Sequence, residues 1–140
     1  MDFDVIIPVY RPDEKFCQVL SGIEKQVAKP RKIIIALTLE EGEKESDVLK
    51  IPGDFSIGTD IFTVKKSEFD HAATRRKAVE RSDTPFFLMM TQDALPADEF
   101  LTKNLLDFFS DGVSSVYARQ LAGPDSDEAE RYSRSFNYPE

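Results

Sequence analysis

Uninterrupted apolar runs alternate along this chain with segments in which apolar residues recur every three or four positions. The runs cover residues 5–9, 32–38, 60–64 and 86–90. Runs without polar alternation are typical of parallel strands covered on both faces, and the three-to-four spacing is typical of amphipathic helices. The alternation therefore predicts an α/β fold with a mostly parallel central sheet flanked by helices.

The segments that follow these runs predict the helices. The spacing indicates a first helix that opens at residues 12–14 and ends near residues 29–30, a second over residues 72–81, and a third after Pro96. Acidic residues open the first of these helices, where the helix dipole favours negative charge. Strand, helix and strand joined by short connections form the βαβ unit of parallel sheets.

Other parts of the chain carry less regular patterns. Residues 39–59 are acidic and broken by glycine and proline, which predicts an irregular surface connection. One more strand is expected over residues 113–118. In the tail, Asp125 is placed to cap a helix that would carry Tyr132 and Phe136 on one exposed face, available for self-association.

Composition and charge limit the class of protein. The chain has 140 residues and 41% hydrophobic content, and we assign residues 1–122 to one domain and residues 123–140 to the start of a further region, so that the chain is expected to be C-terminally truncated. A net charge of −8 argues against a nucleic-acid partner, because phosphate backbones are bound by clustered Lys and Arg. Cys17 is the single cysteine, which excludes an internal disulfide and suggests a partly buried thiol.

The sequence shows no targeting or membrane signal. No apolar run approaches the roughly 20 residues that span a bilayer, and the start of the chain lacks the basic region of a signal peptide. We therefore expect no transmembrane segment and a cytoplasmic protein, with peripheral attachment to the inner face of the membrane as a variant of that expectation.

An apolar run that stops at a single carboxylate marks the candidate site. Residues 88–96 read Leu-Met-Met-Thr-Gln-Asp-Ala-Leu-Pro, so the fourth strand delivers Asp93 to its carboxyl end. Open α/β sheets bind ligands outside the carboxyl ends of their strands. Because the chain is acidic, a phosphate-bearing ligand would have to be met by a cation.

Several segments, in this order, carry a resemblance to a known family. The main ones are residues 4–10 (DVIIPVY), 68–75 (EFDHAATR) and 87–96 (FLMMTQDALP). Together they resemble the family 2 glycosyltransferases, and more narrowly the rhamnosyltransferase branch, which also has stretches similar to residues 116–120 and 131–139. The resemblance implies a GT-A fold, that of the nucleotide-diphospho-sugar transferases, with the tail as the start of its acceptor side.

The resemblance also implies a donor site. Asp93 would hold a Mg²⁺ or Mn²⁺ ion, which binds through one or two carboxylates and the substrate phosphates, while Thr91 stands where the family often has a further carboxylate. Tyr10 would stack on the base. The full set implied to contact the nucleotide sugar is Pro8, Tyr10, Arg11, Glu40, His71, Arg75, Thr91, Gln92 and Asp93.

Several of these assignments have a simpler structural alternative. His71 and Arg75 would equally suit a solvated basic helix face, and Tyr10 an ordinary exposed aromatic. Glu40 lies in a loop so acidic that its charge would serve for solvation alone. The family commonly has a glycine pair and an asparagine near the second helix, whereas this chain has alanines there and Arg76.

The activity implied by the resemblance is transfer of a sugar from a nucleotide-diphosphate donor to a polysaccharide or glycan acceptor, with inversion and with a metal. dTDP-rhamnose is the favoured donor and a UDP-sugar the alternative. No residue is assigned as the general base that this chemistry requires, so the chain is expected to bind donor without turnover.

Two other functions compete with the glycosyltransferase. A nucleotidyltransferase would share the sheet and the metal, but it would carry a glycine-rich loop after the first strand, and residues 8–12 contain no glycine. A non-catalytic α/β module would bind a partner through the aromatic tail.

Overall fold

The structure alternates strands and helices, largely in the order that the apolar runs predict. The computed structural model describes residues 1–139. The elements are β1 (Phe3–Tyr10), α1 (Glu14–Glu24), β2 (Lys32–Leu39), α2 (Glu45–Val48), β3 (Gly58–Lys65), a 3-10 turn (Lys66–Glu68), α3 (His71–Val79), β4 (Phe86–Met89), α4 (Leu101–Asp107) and α5 (Glu128–Asn137). The chain divides into two compact units, Met1–Lys103 and Asn104–Glu140; the domain boundary after residue 122 stays a prediction.

One parallel sheet organises the first unit. Its strand order is β3-β2-β1-β4, which confirms the predicted α/β class with a parallel central sheet. Strand β1 is central, because Val5 lies beside Ile33 of β2 on one side and beside Leu88 of β4 on the other. A central strand exposes neither edge nor face to water, and this explains its unbroken apolar sequence.

The core lies on both faces of this sheet. On one face Ile6, Ile34 and Phe62 pack with Ala78 of α3, and the intervening residues of β1 and β2, which point to the other face, are equally buried. The crossovers from β1 to β2 and from β3 to β4 run in opposite directions across the sheet. Right-handed connections therefore place α1 and α3 on opposite faces.

Helix α1 is shorter than the sequence predicts. It ends at Glu24 and not near residues 29–30. The residues beyond it are held by contacts from a distant segment: the Gln26 side chain is buried, and the Val27 amide donates to the Glu99 carbonyl at 2.9 Å. Val27, expected to continue the apolar face, is 57% exposed.

The predicted strand at residues 113–118 is wrong. These residues are irregular, and Tyr117 is 86% exposed. A strand requires a neighbour for its backbone hydrogen bonds, and within the described part of the chain this segment pairs with none. The connection over residues 39–59 is irregular as expected, except for the short α2 and for the start of β3.

Helix α5 forms in the tail, but its cap differs from the predicted one. Asp127, and not Asp125, accepts a backbone hydrogen bond from Glu130 at 2.8 Å. Tyr132 and Phe136 are both more than 70% exposed and stack with centroids 6.2 Å apart. Self-association through this face stays a prediction. Among residues 1–139 no helix has the length and apolar character needed to cross a bilayer.

The Gln26 side chain joins the end of α1 to the start of α4. It is 2% exposed. Its Oε1 accepts from the Thr102 amide at 3.1 Å and its Nε2 donates to the Asp98 carbonyl at 2.7 Å. The buried Thr102 hydroxyl in turn donates to the Ala28 carbonyl at 2.7 Å. This network holds the segment that follows β4 against α1.

Replacing Gln26 by leucine should destabilise the fold. Leucine fills much of the same volume but leaves the Thr102 amide and the Asp98 carbonyl without their partner, which costs about 2–3 kcal/mol. Urea unfolding followed by circular dichroism measures the change. The exposed Gln18 of α1 gives the matched control, because Gln18→Leu should change the free energy of unfolding by less than about 0.5 kcal/mol. Equal effects of the two substitutions would contradict the role of Gln26.

Candidate functional site

The candidate site lies where the strand order reverses. Strands β1, β2 and β3 follow one another in one direction across the sheet, and β4 then returns to the other side of β1. In parallel sheets such a switch point leaves a crevice at the carboxyl ends of the two strands, and ligands bind there. In this chain the switch point lies between Tyr10 and the segment that follows Met89, and we call this region the crevice.

Strand β4 leaves β1 before β1 ends, and Gln92 continues the hydrogen bonding. The last backbone bond between them runs from the Met90 amide to the Ile6 carbonyl at 2.9 Å. Beyond it, Gln92 Oε1 accepts from Tyr10 N at 2.7 Å and Nε2 donates to Tyr10 O at 3.0 Å. Pro8, which has no N–H, lies between these bonded positions, where the missing donor costs no ladder bond. Gln92, assigned to the donor from the sequence, thus binds the backbone of β1.

The Asp93 loop is anchored at both ends. Asp93 is exposed, and Thr91 orients its carboxylate, since Thr91 Oγ1 donates to Asp93 Oδ1 at 2.8 Å. At the far end Pro96 packs against Gly22 of α1, where a Cβ would lie 3.0 Å from Pro96 Cδ. Glycine therefore permits this close approach, and the carboxylate is presented from a loop fixed to β1 and to α1.

Tyr10, Arg11 and Glu40 form a second group at the strand ends. The Tyr10 hydroxyl donates to Glu40 Oε1, and Arg11 Nη2 lies 3.4 Å from the same oxygen. Arg11 has a φ of +47°, a left-handed conformation that is strained for a residue with a Cβ. The hydrogen bond to Glu40, and then desolvation, raise the pKa of Tyr10 above its ordinary 10.0, while the Arg11 charge acts in the opposite direction.

A row of cations and rings continues from Tyr10 to α3. Lys66 Nζ lies 4.1 Å from the centroid of the Tyr10 ring and 5.6 Å from that of Phe69. Phe69 meets His71 edge to face with centroids 4.8 Å apart, and His71 Nδ1 lies 3.2 Å from Arg75 Nη1. We call these five residues the cation-aromatic row.

Two members of this row, Lys66 and Phe69, were missed by reasoning from the sequence. Lys66 directly follows β3 at the carboxyl edge of the sheet, and this position is the signal that could have found it. The start of α3 is capped by a carboxylate of its own, because Asp70 Oδ1 accepts from the Ala73 amide at 2.7 Å.

The described residues offer few groups for a metal or for general base catalysis. Over residues 1–139 no three His, Cys, Asp or Glu side chains are grouped so as to hold a metal ion. In the tail, Asp127 caps α5 and Glu130 lies 3.6 Å from Arg134, so these carboxylates have structural partners. Asp93 presents one carboxylate at the switch point.

Comparison with curated proteins gives two relatives of one kind. The chain is 33% identical over 140 residues to the O-antigen chain rhamnosyltransferase RfbN of Salmonella typhimurium (strain LT2), a match that covers 99% of this chain and 43% of that protein. It is 27% identical over 139 residues to the O-antigen chain rhamnosyltransferase WbaN of Salmonella anatum, covering 97% of this chain and 42% of that protein. The chain is therefore similar to rhamnosyltransferases over almost its full length. It spans less than half the length of these curated relatives.

Among solved structures, the chain is similar to S. aureus TarS, a family 2 glycosyltransferase with the GT-A fold. The structure of TarS 1–349 gives a TM-score of 0.57 at 17% identity, over 77% of this chain and 32% of that one. A second TarS structure gives 0.50 at 18% identity, over 74% and 19%. This likeness confirms the predicted GT-A-like α/β fold. No protein-family model matches the chain.

Substituting Gln92 should lower stability in the absence of any ligand. Gln92→Ala removes both hydrogen bonds to Tyr10, which should cost about 1–2 kcal/mol in the free energy of unfolding. Gln92→Glu should cost at least as much, because a carboxylate oxygen would then face the Tyr10 carbonyl. Urea denaturation measures both, with Thr91→Ala as the control on the exposed loop. If Gln92→Ala unfolds at the wild-type urea concentration, the side chain does not hold β1 to the Asp93 loop.

The phenol of Tyr10 should ionise at higher pH than an ordinary tyrosine. Because its folded pKa is raised, the stabilisation from its hydrogen bond to Glu40 is complete below the unfolded pKa and is lost as pH rises through the folded pKa. Absorbance titration at alkaline pH, with Tyr10→Phe subtracted to isolate this residue, gives the value.

Glu40→Gln tests the cause of that shift. Removal of the carboxylate should return the Tyr10 pKa towards the ordinary value, because the main contribution to the shift is the bond to Glu40. An unchanged Tyr10 titration in Glu40→Gln would show that the two side chains do not pair in solution.

Proposed function

We propose that this chain is the donor-binding part of a glycosyltransferase that transfers a sugar from a nucleoside-diphosphate donor to a glycan or polysaccharide acceptor. The observation that carries the proposal is the position of Tyr10, Glu40 and Asp93 at the carboxyl ends of three neighbouring strands around the switch point, in a chain similar to rhamnosyltransferases over almost its full length. Rhamnose is the sugar that the likeness favours, with dTDP as the favoured nucleotide and UDP as the alternative.

The residues at the strand ends suit the two parts of such a donor. A base would stack on the Tyr10 ring, with Glu40 as a hydrogen-bond acceptor beside it. The diphosphate would then lie towards Asp93, across the crevice between β1 and β4. The Gln92 bonds to Tyr10 fix the relation between these two parts, since they join the strand that carries the ring to the loop that carries the carboxylate.

A divalent metal fits this site only together with the diphosphate. Asp93 supplies one exposed carboxylate, and Thr91 fixes its orientation through Oδ1. Mg²⁺ is commonly held in this way, by one or two carboxylates and substrate phosphates. When bound, the ion would neutralise charge on the diphosphate leaving group. Asp93 is therefore the residue that would hold Mg²⁺ or Mn²⁺ in this chain.

This proposal assigns donor binding to the chain and assigns none of its residues to activation of the acceptor. Inverting transfer requires a general base at the acceptor hydroxyl, whereas Asp127 caps α5 and Glu130 forms an ion pair with Arg134. Donor binding and sugar transfer are accordingly separate properties, and the first is what this chain is proposed to supply.

Thermal unfolding with dTDP, UDP and GDP, each with and without Mn²⁺, tests the proposal. We expect at least one nucleotide to raise the melting temperature, and Mn²⁺ to increase the shift. A ligand present at 100 times its dissociation constant stabilises the folded state by about 2.7 kcal/mol, and this stabilisation gives a readily measured shift in melting temperature.

Asp93→Asn and Glu99→Gln form a matched pair, since each removes one exposed negative charge. Asp93→Asn should abolish the part of the shift that depends on Mn²⁺ and leave the melting temperature of the free protein close to wild type, whereas Glu99→Gln should behave as wild type. A wild-type protein indifferent to all three nucleotides would instead favour a non-catalytic binding module. If Asp93→Asn unfolds by itself, the carboxylate is structural.

A further inference from the structure

Lys66 is a cation that has no acidic partner among residues 1–139. The chain carries 26 acidic and 18 basic side chains, and ion pairs join some of these cations to carboxylates. Arg11 pairs with Glu40, for example. Within residues 1–139 no carboxylate pairs with Lys66, whose ammonium group lies between the rings of Tyr10 and Phe69. Such a cation, at the carboxyl edge of the sheet, is available to an anionic ligand.

The position of Lys66 also covers the surface that the proposed function gives to the base. Its Nζ lies 4.1 Å from the centroid of the Tyr10 ring, within the range of a cation–π contact. A base stacked on this face would take the same space. The cation–π contact is weak at an exposed site, and the four-carbon side chain of lysine is flexible, so displacement is easy. A charge-assisted hydrogen bond to a phosphate oxygen is stronger than the cation–π interaction that it replaces.

We propose that Lys66 is a ligand of the donor diphosphate, covering the Tyr10 ring in the free protein and moving onto the phosphates when the base occupies that ring. The inference rests on the proposed function, and it adds to it a phosphate ligand that is independent of the metal. The side chain screens the ring from water in the free state and compensates phosphate charge in the bound state. A nucleoside displaces Lys66 from the ring, but it has no phosphate to which the lysine can bind.

The experiment compares a nucleoside with its diphosphate. Isothermal titration calorimetry of the full chain, in EDTA to exclude metals, would measure thymidine and dTDP, with uridine and UDP in parallel. Lys66→Ala should weaken binding of the diphosphate by about tenfold, because one charge-assisted hydrogen bond is removed. The same substitution should leave nucleoside binding unchanged or strengthen it by up to about fivefold, since the ring is freed.

Lys65→Ala is the matched control, because it removes the same charge from the adjacent residue. It should change either affinity by less than about twofold. Lys66→Arg should retain diphosphate binding, since it keeps the charge at this position. Circular dichroism of each variant checks that the fold is intact, as expected for an exposed side chain.

Two results would overturn the inference while leaving the proposed function in place. One is a loss of dTDP or UDP affinity in Lys66→Ala that is no larger than the loss in Lys65→Ala. The effect would then come from the net charge of the protein and not from a contact made by Lys66. The other is an equal loss for nucleoside and diphosphate, which would assign Lys66 to packing around Tyr10. Wild-type protein that binds neither diphosphate, with or without Mn²⁺, would overturn both the proposed function and this inference.

Discussion

The site depends on the hydrogen bonds that the Tyr10 backbone makes beyond the point where strand β4 leaves β1. A strand in the middle of a sheet is normally satisfied on both edges, and β1 loses β4 after Met90. The Gln92 amide supplies a donor and an acceptor in the geometry of a missing strand residue. The crevice can therefore open towards solvent without leaving the end of β1 unbonded.

Charge is distributed unevenly around this crevice. Arg11, Lys66 and Arg75 lie along one side, from the end of β1 to the first turns of α3, and Asp93 lies on the other. Glu40 pairs with Arg11 on this side, and Lys66 and Arg75 add positive charge at the edge of the sheet where the proposed function places the donor. Arg11 and Lys66 contact the Tyr10 ring, and Lys66 also contacts the Phe69 ring.

The sequence predicted what depends on burial and could not predict what depends on single contacts between distant segments. The strands β1 and β2 are apolar because both faces are covered, so composition alone locates them. The end of α1, by contrast, depends on Glu99 and Thr102, which lie more than 70 positions from their partners Val27 and Gln26. Gln92 and Tyr10 are separated by 82 positions, and no local pattern distinguishes a glutamine that binds backbone from one that binds ligand. Residues 113–118 have the composition of a strand but no neighbour within the described residues, and composition does not encode neighbours.

The packing contact between Gly22 and Pro96 links helix α1 to the Asp93 loop without any hydrogen bond or charge. A methyl group at position 22 would meet the proline ring at 3.0–3.3 Å, so the ring and the loop that it ends would have to move by a few tenths of an ångström. In evolutionary terms the two positions are epistatic: the cost of a side chain at one depends on the bulk of the other. A substitution at Gly22 on α1, remote from every polar group of the crevice, would therefore shift the Asp93 carboxylate.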